Sequence, residues 1–329
     1  MNQRVRDDWL HSKDRYDKIG RYVRQQIRFT TPFGDGEGEL PVEAGRYRLI
    51  WAPVCPWAHR SVIVRKLLGL EDVISLGTLD PKRPEDNKGD WAFSLDPDGR
   101  DPVLGVKYLN ELYLNADPDY DKRATVPALV DVTTKKVVNN DYWNLTLYYE
   151  TKFKKFHKPG APDLYPEELR EDIDALNEII YHEVNNGVYR AGFARSQAAY
   201  EEAYSTVFAR LDWLEERLED RRYLFGDKIT ESDVRLYVTL ARFDCAYYNA
   251  FRVNRNRIRD YKNLWAYARD LYSIEAFGGT TDFEAIKKHY HLDCQIDNIY
   301  SIIPKGPEIE SWKLPHGRER LDGTGYITD

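Results

Sequence analysis

Tyr47-Arg-Leu-Ile-Trp-Ala-Pro-Val-Cys55-Pro56-Trp57-Ala58-His59-Arg60 joins a strand pattern to a helix pattern across a single cysteine. Tyr47 to Trp51 is an apolar, aromatic-rich run of strand type, and Pro53 breaks it. From Trp57 to Leu70 apolar residues recur at helical spacing (Val62, Ile63, Leu67, Leu70), and Gly69 sits where a helix would stop. Pro56 suits the first helical position, where a missing N–H is no loss. Cys55 then falls at the helix N-cap, facing unpaired backbone N–H groups and the positive end of the helix dipole. That setting favours the thiolate, the form that attacks sulfur electrophiles. The competing reading is a small buried cysteine that only fills space. Three residues on stands Ala58 rather than a second cysteine. A lone thiolate must be resolved by an outside thiol, which points to a low-molecular-weight thiol cosubstrate.

The rest of the composition narrows the class. The chain has 329 residues, enough for two domains, with 31% charged and 42% hydrophobic residues, as in globular proteins. No apolar run is long enough to span a bilayer, and the N-terminus MNQRVRDDWLHSKDRYDKIG is too polar for a secretion signal. No membrane role is expected. Three dispersed cysteines do not make a disulfide framework, so the expected home is a reducing cytoplasm. A net charge of −7 argues against nucleic acid as the main partner.

Taken in order, residues 1–46 read as a surface arm, with a short helix over 13–24. Residues 47–79 read strand, helix, strand, a βαβ pattern. Residues 80–123 read as a long irregular insertion; Trp91 in it is equally a ligand contact or a plug over the core. Thr125-Val126-Pro127-Ala-Leu-Val-Asp131 and Val137-Val138-Asn139 read as strands, with Val126 extended before its proline. Asn139-Asn140-Asp141 should cap a helix over 142–153. An acidic cap beside unpaired N–H groups can receive an amine or a carboxylate. Residues 154–166 are a charged, Pro/Gly-bearing linker. Helical periodicity follows over 166–184, 196–218 and 234–248, the last opened by the capping box Thr230-Glu-Ser-Asp233. Shorter helices are expected near 261–275 and 283–289, then an extended tail over 291–329. The domains expected are thus the arm, a thiol-binding domain at 47–153, an all-helical domain at 167–290 and the tail.

This order resembles the glutathione transferases, and within them the Xi class, the glutathionyl-hydroquinone reductases. The resemblance runs from the N-terminal arm to Pro307. It is carried by Cys55-Pro56-Trp57-Ala58-His59-Arg60, Trp91-Ala-Phe93, Ala116-Asp-Pro-Asp-Tyr120 through Arg123 into Thr125-Val-Pro127, and Asn139-Asn140-Asp141. In the helical half it is carried by Gly187-Val-Tyr189-Arg-Ala-Gly-Phe193, Arg242-Phe243-Asp244 with Tyr247, and Ile286-Lys-Lys-His289-Tyr290. Singly these are weak; their order and spacing together are specific. The resemblance implies an α/β thioredoxin-like N-terminal domain, a cis Pro127 that leaves the Val126 backbone open to a peptide-like ligand, and an all-α C-terminal domain. It implies Cys55 as nucleophile. Glutathione would be held by Trp91, Arg123, Val126, Pro127, Asp141 and Tyr142, with Arg123 near the glycyl carboxylate and Asp141 near the γ-glutamyl end. Tyr189, Tyr247 and Tyr290 would line the acceptor site and hydrogen-bond an aromatic hydroxyl; on residues alone, packing is the simpler role for each. The family forms homodimers and uses no metal.

The activity so implied is removal of glutathione from glutathionyl-hydroquinones through a Cys55 mixed disulfide. Two departures bear on it. Asp141-Tyr142 stands where the family usually has Glu-Ser, and His291 where a second Tyr is usual. The thiol could then be a relative of glutathione, such as γ-glutamylcysteine or bacillithiol. Rival activities are a general thiol transferase or dehydroascorbate reductase of omega type, and a non-catalytic binding protein of the same fold. A zinc site from His289, His291, Asp293 and Cys294 is too crowded to favour. Cys245, inside an apolar helix, should be buried and inert. His59 and Arg60 should orient the helix or a dimer partner.

Overall fold

The computed structural model describes residues 15–84, 90–295 and 298–327. Contacts divide the chain into two compact units. Residues 26–162 belong to the first; residues 15–25 join 163–327 in the second.

The first unit is a mixed four-stranded sheet. Strands β1 (Tyr47–Trp51), β2 (Ile74–Thr78), β3 (Ala128–Asp131) and β4 (Lys136–Asn139) lie in the order β2-β1-β3-β4. β1 and β2 are parallel, which requires a crossover; helix α1 (Pro56–Leu67) supplies it. β1 pairs antiparallel with β3, and β3 with β4. All five side chains of β1 are buried, as a central strand covered on both faces demands. α1 ends as its sequence dictates. Gly69 takes φ +72°, its N–H reaches the Lys66 carbonyl, and the Leu70 N–H reaches Arg65. These are the two bonds of a Schellman stop.

Two expectations fail in this unit. The 80–123 insertion, of which 85–89 lie outside the described residues, is not wholly irregular: Leu109–Ala116 forms helix α2. Glu111 closes it by accepting the N–H groups of Lys107 (2.8 Å) and Tyr108 (2.8 Å), while Leu109, Leu112 and Tyr113 are buried. The helix after Asp141 begins late, as α3 (Leu145–Thr151). Asp141 instead holds a turn, with Oδ1 accepting from the N–H of Trp143 (3.0 Å) and Oδ2 from Asn144 Nδ2 (2.7 Å).

The second unit is helical: α4 (Arg170–Ile179), α5 (Gly187–Gly192), α6 (Gln197–Arg217), α7 (Glu231–Arg242), α8 (Tyr248–Ala250), α9 (Lys262–Ser273), α10 (Glu275–Gly278) and α11 (Phe283–His289). The capping box is present. Asp233 Oδ2 accepts from the Thr230 N–H (2.8 Å) and hydroxyl (2.9 Å), and Oδ1 from the Leu224 N–H (2.9 Å) and Tyr267 hydroxyl (2.8 Å). Three π-helical segments interrupt the α pattern: Ile180–Asn185, Phe243–Tyr247 and Tyr290–Cys294. The helix expected over 13–24 is absent from its described part. Residues 15–24 instead make a turn closed by a bridge between Tyr16 and Tyr22, which packs Tyr22 on Phe193 at 5.3 Å. The tail carries two 3-10 turns, Ile309–Lys313 and Arg318–Leu321. Among the described residues no helix is long and apolar enough to cross a membrane.

Candidate active site

Cys55 is the N-cap of α1, with Pro56 in the first turn, an extended backbone (φ −81°, ψ 117°) and partial exposure. The first helical bond runs from the His59 N–H to the Cys55 carbonyl at 3.0 Å. The thiol points across the sheet end and reaches the Val126 carbonyl at 3.5 Å. Val126-Pro127 is a cis peptide. Among the described residues the Val126 N–H has no hydrogen-bond partner. The Cys55 sulfur therefore lies beside an extended backbone edge that offers one donor. That is the combination a cysteine-containing peptide can meet by strand-like pairing.

Several side chains hold this edge in place. Asn140 accepts from the Phe29 N–H at 3.1 Å and donates through Nδ2 to the Tyr113 hydroxyl (3.2 Å) and to Thr125 Oγ1 (3.3 Å). Tyr113 in turn donates to the Thr125 carbonyl at 2.7 Å. Asn139 Nδ2 donates to the Thr31 carbonyl at 3.0 Å. The Asn-Asn pair thus ties the chain before β1 and the residue before Val126 into one network. The sequence singled these asparagines out as a cap, not as this clamp.

The proposed thiol-holding side chains occupy the same unit. Asp141 is 5% exposed and already accepts from three donors: Trp143 N–H, Asn144 N–H and Asn144 Nδ2. Tyr142 is half-buried, its ring 5.0 Å from that of Trp57. Its carbonyl accepts from Arg60 Nη2 at 2.5 Å. Arg60 and His59 are both fully buried, so they anchor α1 within the chain rather than meet a partner. Trp91 is 4% exposed with the Arg83 guanidinium 4.2 Å from its ring centre. Arg123 is half-buried. Burial raises the pKa of the Asp90 carboxyl, and the charges of Arg83 and Arg123 pull it back.

The three candidate tyrosines of the second unit converge. The Tyr290 hydroxyl lies 2.5 Å from that of Tyr189 and 3.2 Å from that of Tyr247. The ring of Phe251 contacts all three, at 5.4 to 5.5 Å between centroids. The Arg24 guanidinium lies 4.9 Å from the centre of the Tyr189 ring. Burial, then the neighbouring Tyr189 and Tyr247 hydroxyls, drive the Tyr290 pKa well up, so Tyr290 stays protonated and able to donate. Phe251 and Arg24 carried no signal in the sequence. The π-helical segments were equally unreadable, and Tyr247 and Tyr290 both stand in one.

The other cysteines differ. Cys245 is 3% exposed and its thiol is pushed up to about 12 by burial. Cys294 lies against His289. Of the four residues weighed for zinc, His291 turns away. Its Nδ1 meets Gln295 Oε1 (2.8 Å) and its Nε2 the Cys245 carbonyl (3.2 Å). Among the described residues no cluster suits a metal ion.

Comparison with known proteins gives consistent matches. The family profile described as glutathione S-transferase, N-terminal domain, matches residues 54–152, and that described as glutathione S-transferase, C-terminal domain, matches 197–270. The chain is 39% identical over 319 residues to the glutathionyl-hydroquinone reductase YqjG of Escherichia coli (strain K12), covering 95% of this chain and 96% of that one. The glutathione-bound structure of YqjG aligns with TM-score 0.81, covering 92% of this chain and 98% of that one. A glutathione transferase from Gordonia bronchialis shares 50% identity at TM-score 0.87, over 92% and 93% of the two chains. The glutathione-S-transferase Xi from Phanerochaete chrysosporium shares 40% at TM-score 0.83, over 91% and 96%.

Proposed function

The chain belongs to the glutathione transferase family, and from that premise we propose that it is a glutathione-dependent reductase of glutathionyl-hydroquinones with Cys55 as its nucleophile. The observation that carries the assignment is the Cys55 thiol at the N-cap of α1, 3.5 Å from the carbonyl of Val126, on a backbone edge with an unpaired N–H. The Val126 N–H and carbonyl receive the cysteinyl backbone of glutathione. Asp141 and Arg123 take its two ends, and Trp91, Pro127 and Tyr142 flank it.

The Cys55 thiolate attacks the sulfur of the glutathionyl-hydroquinone. The S–S bond forms as the S–aryl bond breaks, and its electron pair leaves on the ring, which takes a proton and departs as hydroquinone. A second glutathione, as thiolate, attacks the mixed disulfide. Glutathione disulfide leaves and the Cys55 thiolate returns. We assign the ring oxygens of the acceptor to the hydroxyls of Tyr189, Tyr247 and Tyr290. A protonated Tyr290 acts by donating a hydrogen bond to the oxygen on which charge develops.

The thiol is glutathione in this reading. Asp141 and Tyr142 leave room for a γ-glutamylcysteine or bacillithiol preference, which the mass of the Cys55 adduct after exposure to each thiol decides. A homodimer in the cytoplasm is the expected state, the dimer supported by family membership and the compartment by three cysteines of which none forms a disulfide; light scattering checks the dimer. The decisive experiment is Cys55→Ser with a glutathionyl-hydroquinone. Turnover should vanish and no glutathione adduct should appear at position 55. Unchanged turnover refutes the nucleophile.

A further inference from the structure

A second cysteine has the surroundings of a reactive thiol. Cys294 Sγ lies 3.5 Å from His289 Nε2, and His289 Nδ1 lies 3.1 Å from Asp293 Oδ2. All three belong to the end of α11 and the π-helical segment Tyr290–Cys294. This local geometry explains the grouping. On an α-helix, residues five apart point about 140° away from each other, so Cys294 could not meet His289. The widened π turn, bonded i to i+5, brings the fifth residue back over the first. Asp293, four residues on, then reaches the other ring nitrogen. The order sulfur, imidazole, carboxylate is the one that activates cysteine nucleophiles: the base takes or faces the thiol proton while the acid fixes its ring.

The surroundings support this. His289 is 6% exposed, and burial pulls its pKa down; the adjacent Cys294 sulfur and the hydrogen bond to Asp293 outweigh burial and hold it up to about 9. Nε2 of this ring faces the Cys294 sulfur while Nδ1 is held by Asp293. Nothing in the Cys55 chemistry uses this group.

We propose that Cys294 is a second reactive thiol, activated by His289 and Asp293, that exchanges with glutathione disulfide and then carries glutathione as a mixed disulfide. The Cys294 thiolate attacks one sulfur of glutathione disulfide. The bond between the two glutathione sulfurs breaks, the Cys294–glutathione bond forms, and the second glutathione leaves as a thiolate that takes up a proton. The Cys294 sulfur is oxidised and the leaving sulfur reduced, so electrons balance. The oxidant is the product of the reaction proposed above, and that clause alone rests on the earlier reading.

The test supplies the oxidant directly, so its outcome is separate from whether Cys55 makes it. In Cys55→Ser/Cys245→Ser protein, Cys294 is the only thiol. Incubated with glutathione disulfide at pH 7 and followed by intact mass, the folded protein should gain one glutathione at least as fast as the same protein unfolded in urea, although Cys294 is only 6% exposed. His289→Gln in the same background should slow the folded rate about tenfold, since a buried sulfur without its cation resists ionisation. Asp293→Asn, with far-UV circular dichroism verifying its fold, should slow it by a smaller factor and serves if His289→Gln does not fold. A folded rate well below the unfolded one overturns the proposal, as does an unchanged rate in the folded variants. Either would leave His289 as a helix C-terminal cation of structural use only.

Discussion

Replacing Tyr290 by Phe removes one oxygen from the centre of the tyrosine cluster and leaves its packing in place. The ring keeps its contacts with Tyr247 (5.2 Å, edge-on) and Phe251 (5.5 Å). Two hydrogen bonds disappear, to Tyr189 and Tyr247. At a net 0.5–1.5 kcal/mol each, stability should fall by roughly 1–3 kcal/mol. The catalytic loss should be larger. A donor aimed at developing negative charge is worth roughly 10²–10³ in rate, or about 3–4 kcal/mol at 1.36 kcal/mol per decade. The assay is single-turnover formation of the Cys55 mixed disulfide from a glutathionyl-hydroquinone, against reduction of a small disulfide that has no aromatic leaving group. The first rate should drop about a hundredfold or more, and the second should hold. A first rate within about threefold of wild type, with the expected loss of stability, would mean that Tyr290 only packs and that the donor assignment is wrong.

Three further outcomes follow from the same geometry. Asp233→Ala leaves the N–H groups of Leu224 and Thr230 and the Tyr267 hydroxyl without their buried acceptor; stability should fall by about 4 kcal/mol in urea titration, while Asp233→Asn, which keeps one acceptor oxygen, should lose less. His289 holds its proton up to about 9 in the fold against about 6.5 unfolded, so the folded state binds more protons between these values. Stability from this group should be present below pH 6.5 and be lost as pH rises toward 9, a dependence that His289→Gln should flatten. At neutral pH iodoacetamide should label Cys55 at least about a hundredfold faster than Cys245 in the folded protein, because burial raises the Cys245 thiol to about 12; comparable labelling of both would contradict the burial argument.

Where local chemistry decides a feature, the sequence displays it. Pro56 and Gly69 bracket α1 because one lacks a donor and the other tolerates φ of +72°. Thr230 and Asp233 mark a helix start because their side chains can bond only the backbone of that first turn. Reading fails where a distant or unexpected group completes the structure. Tyr108 is a poor cap, and α2 is legible only once Glu111 is seen to take the N–H groups of Lys107 and Tyr108 together. Asn139 and Asn140 resemble a cap, and Asn139 Oδ1 does accept from the Asp141 N–H, yet their other side-chain partners are Thr31, Phe29, Tyr113 and Thr125, none of which is near them in sequence.

The tyrosine cluster is the harder case, and the π segments explain why. A single extra residue in a helical turn rotates everything after it by about 100° relative to an α-helix. Tyr247 ends one such segment and Tyr290 begins another, while Tyr189 follows a third by four residues. The 3.6-residue period used to assign faces from sequence therefore misplaces side chains on either side of each segment, though the helices themselves are recognised correctly. A widened turn also leaves backbone bonds weaker than the α pattern would give, so it persists only where the side chains it redirects are well packed. Here they are: the Tyr290 hydroxyl bonds to those of Tyr189 and Tyr247 beside Phe251, and the same widening at Tyr290–Cys294 sets Cys294 against His289. The two features of the second unit with chemical potential thus share a cause, a departure from helical register that no window of sequence reports.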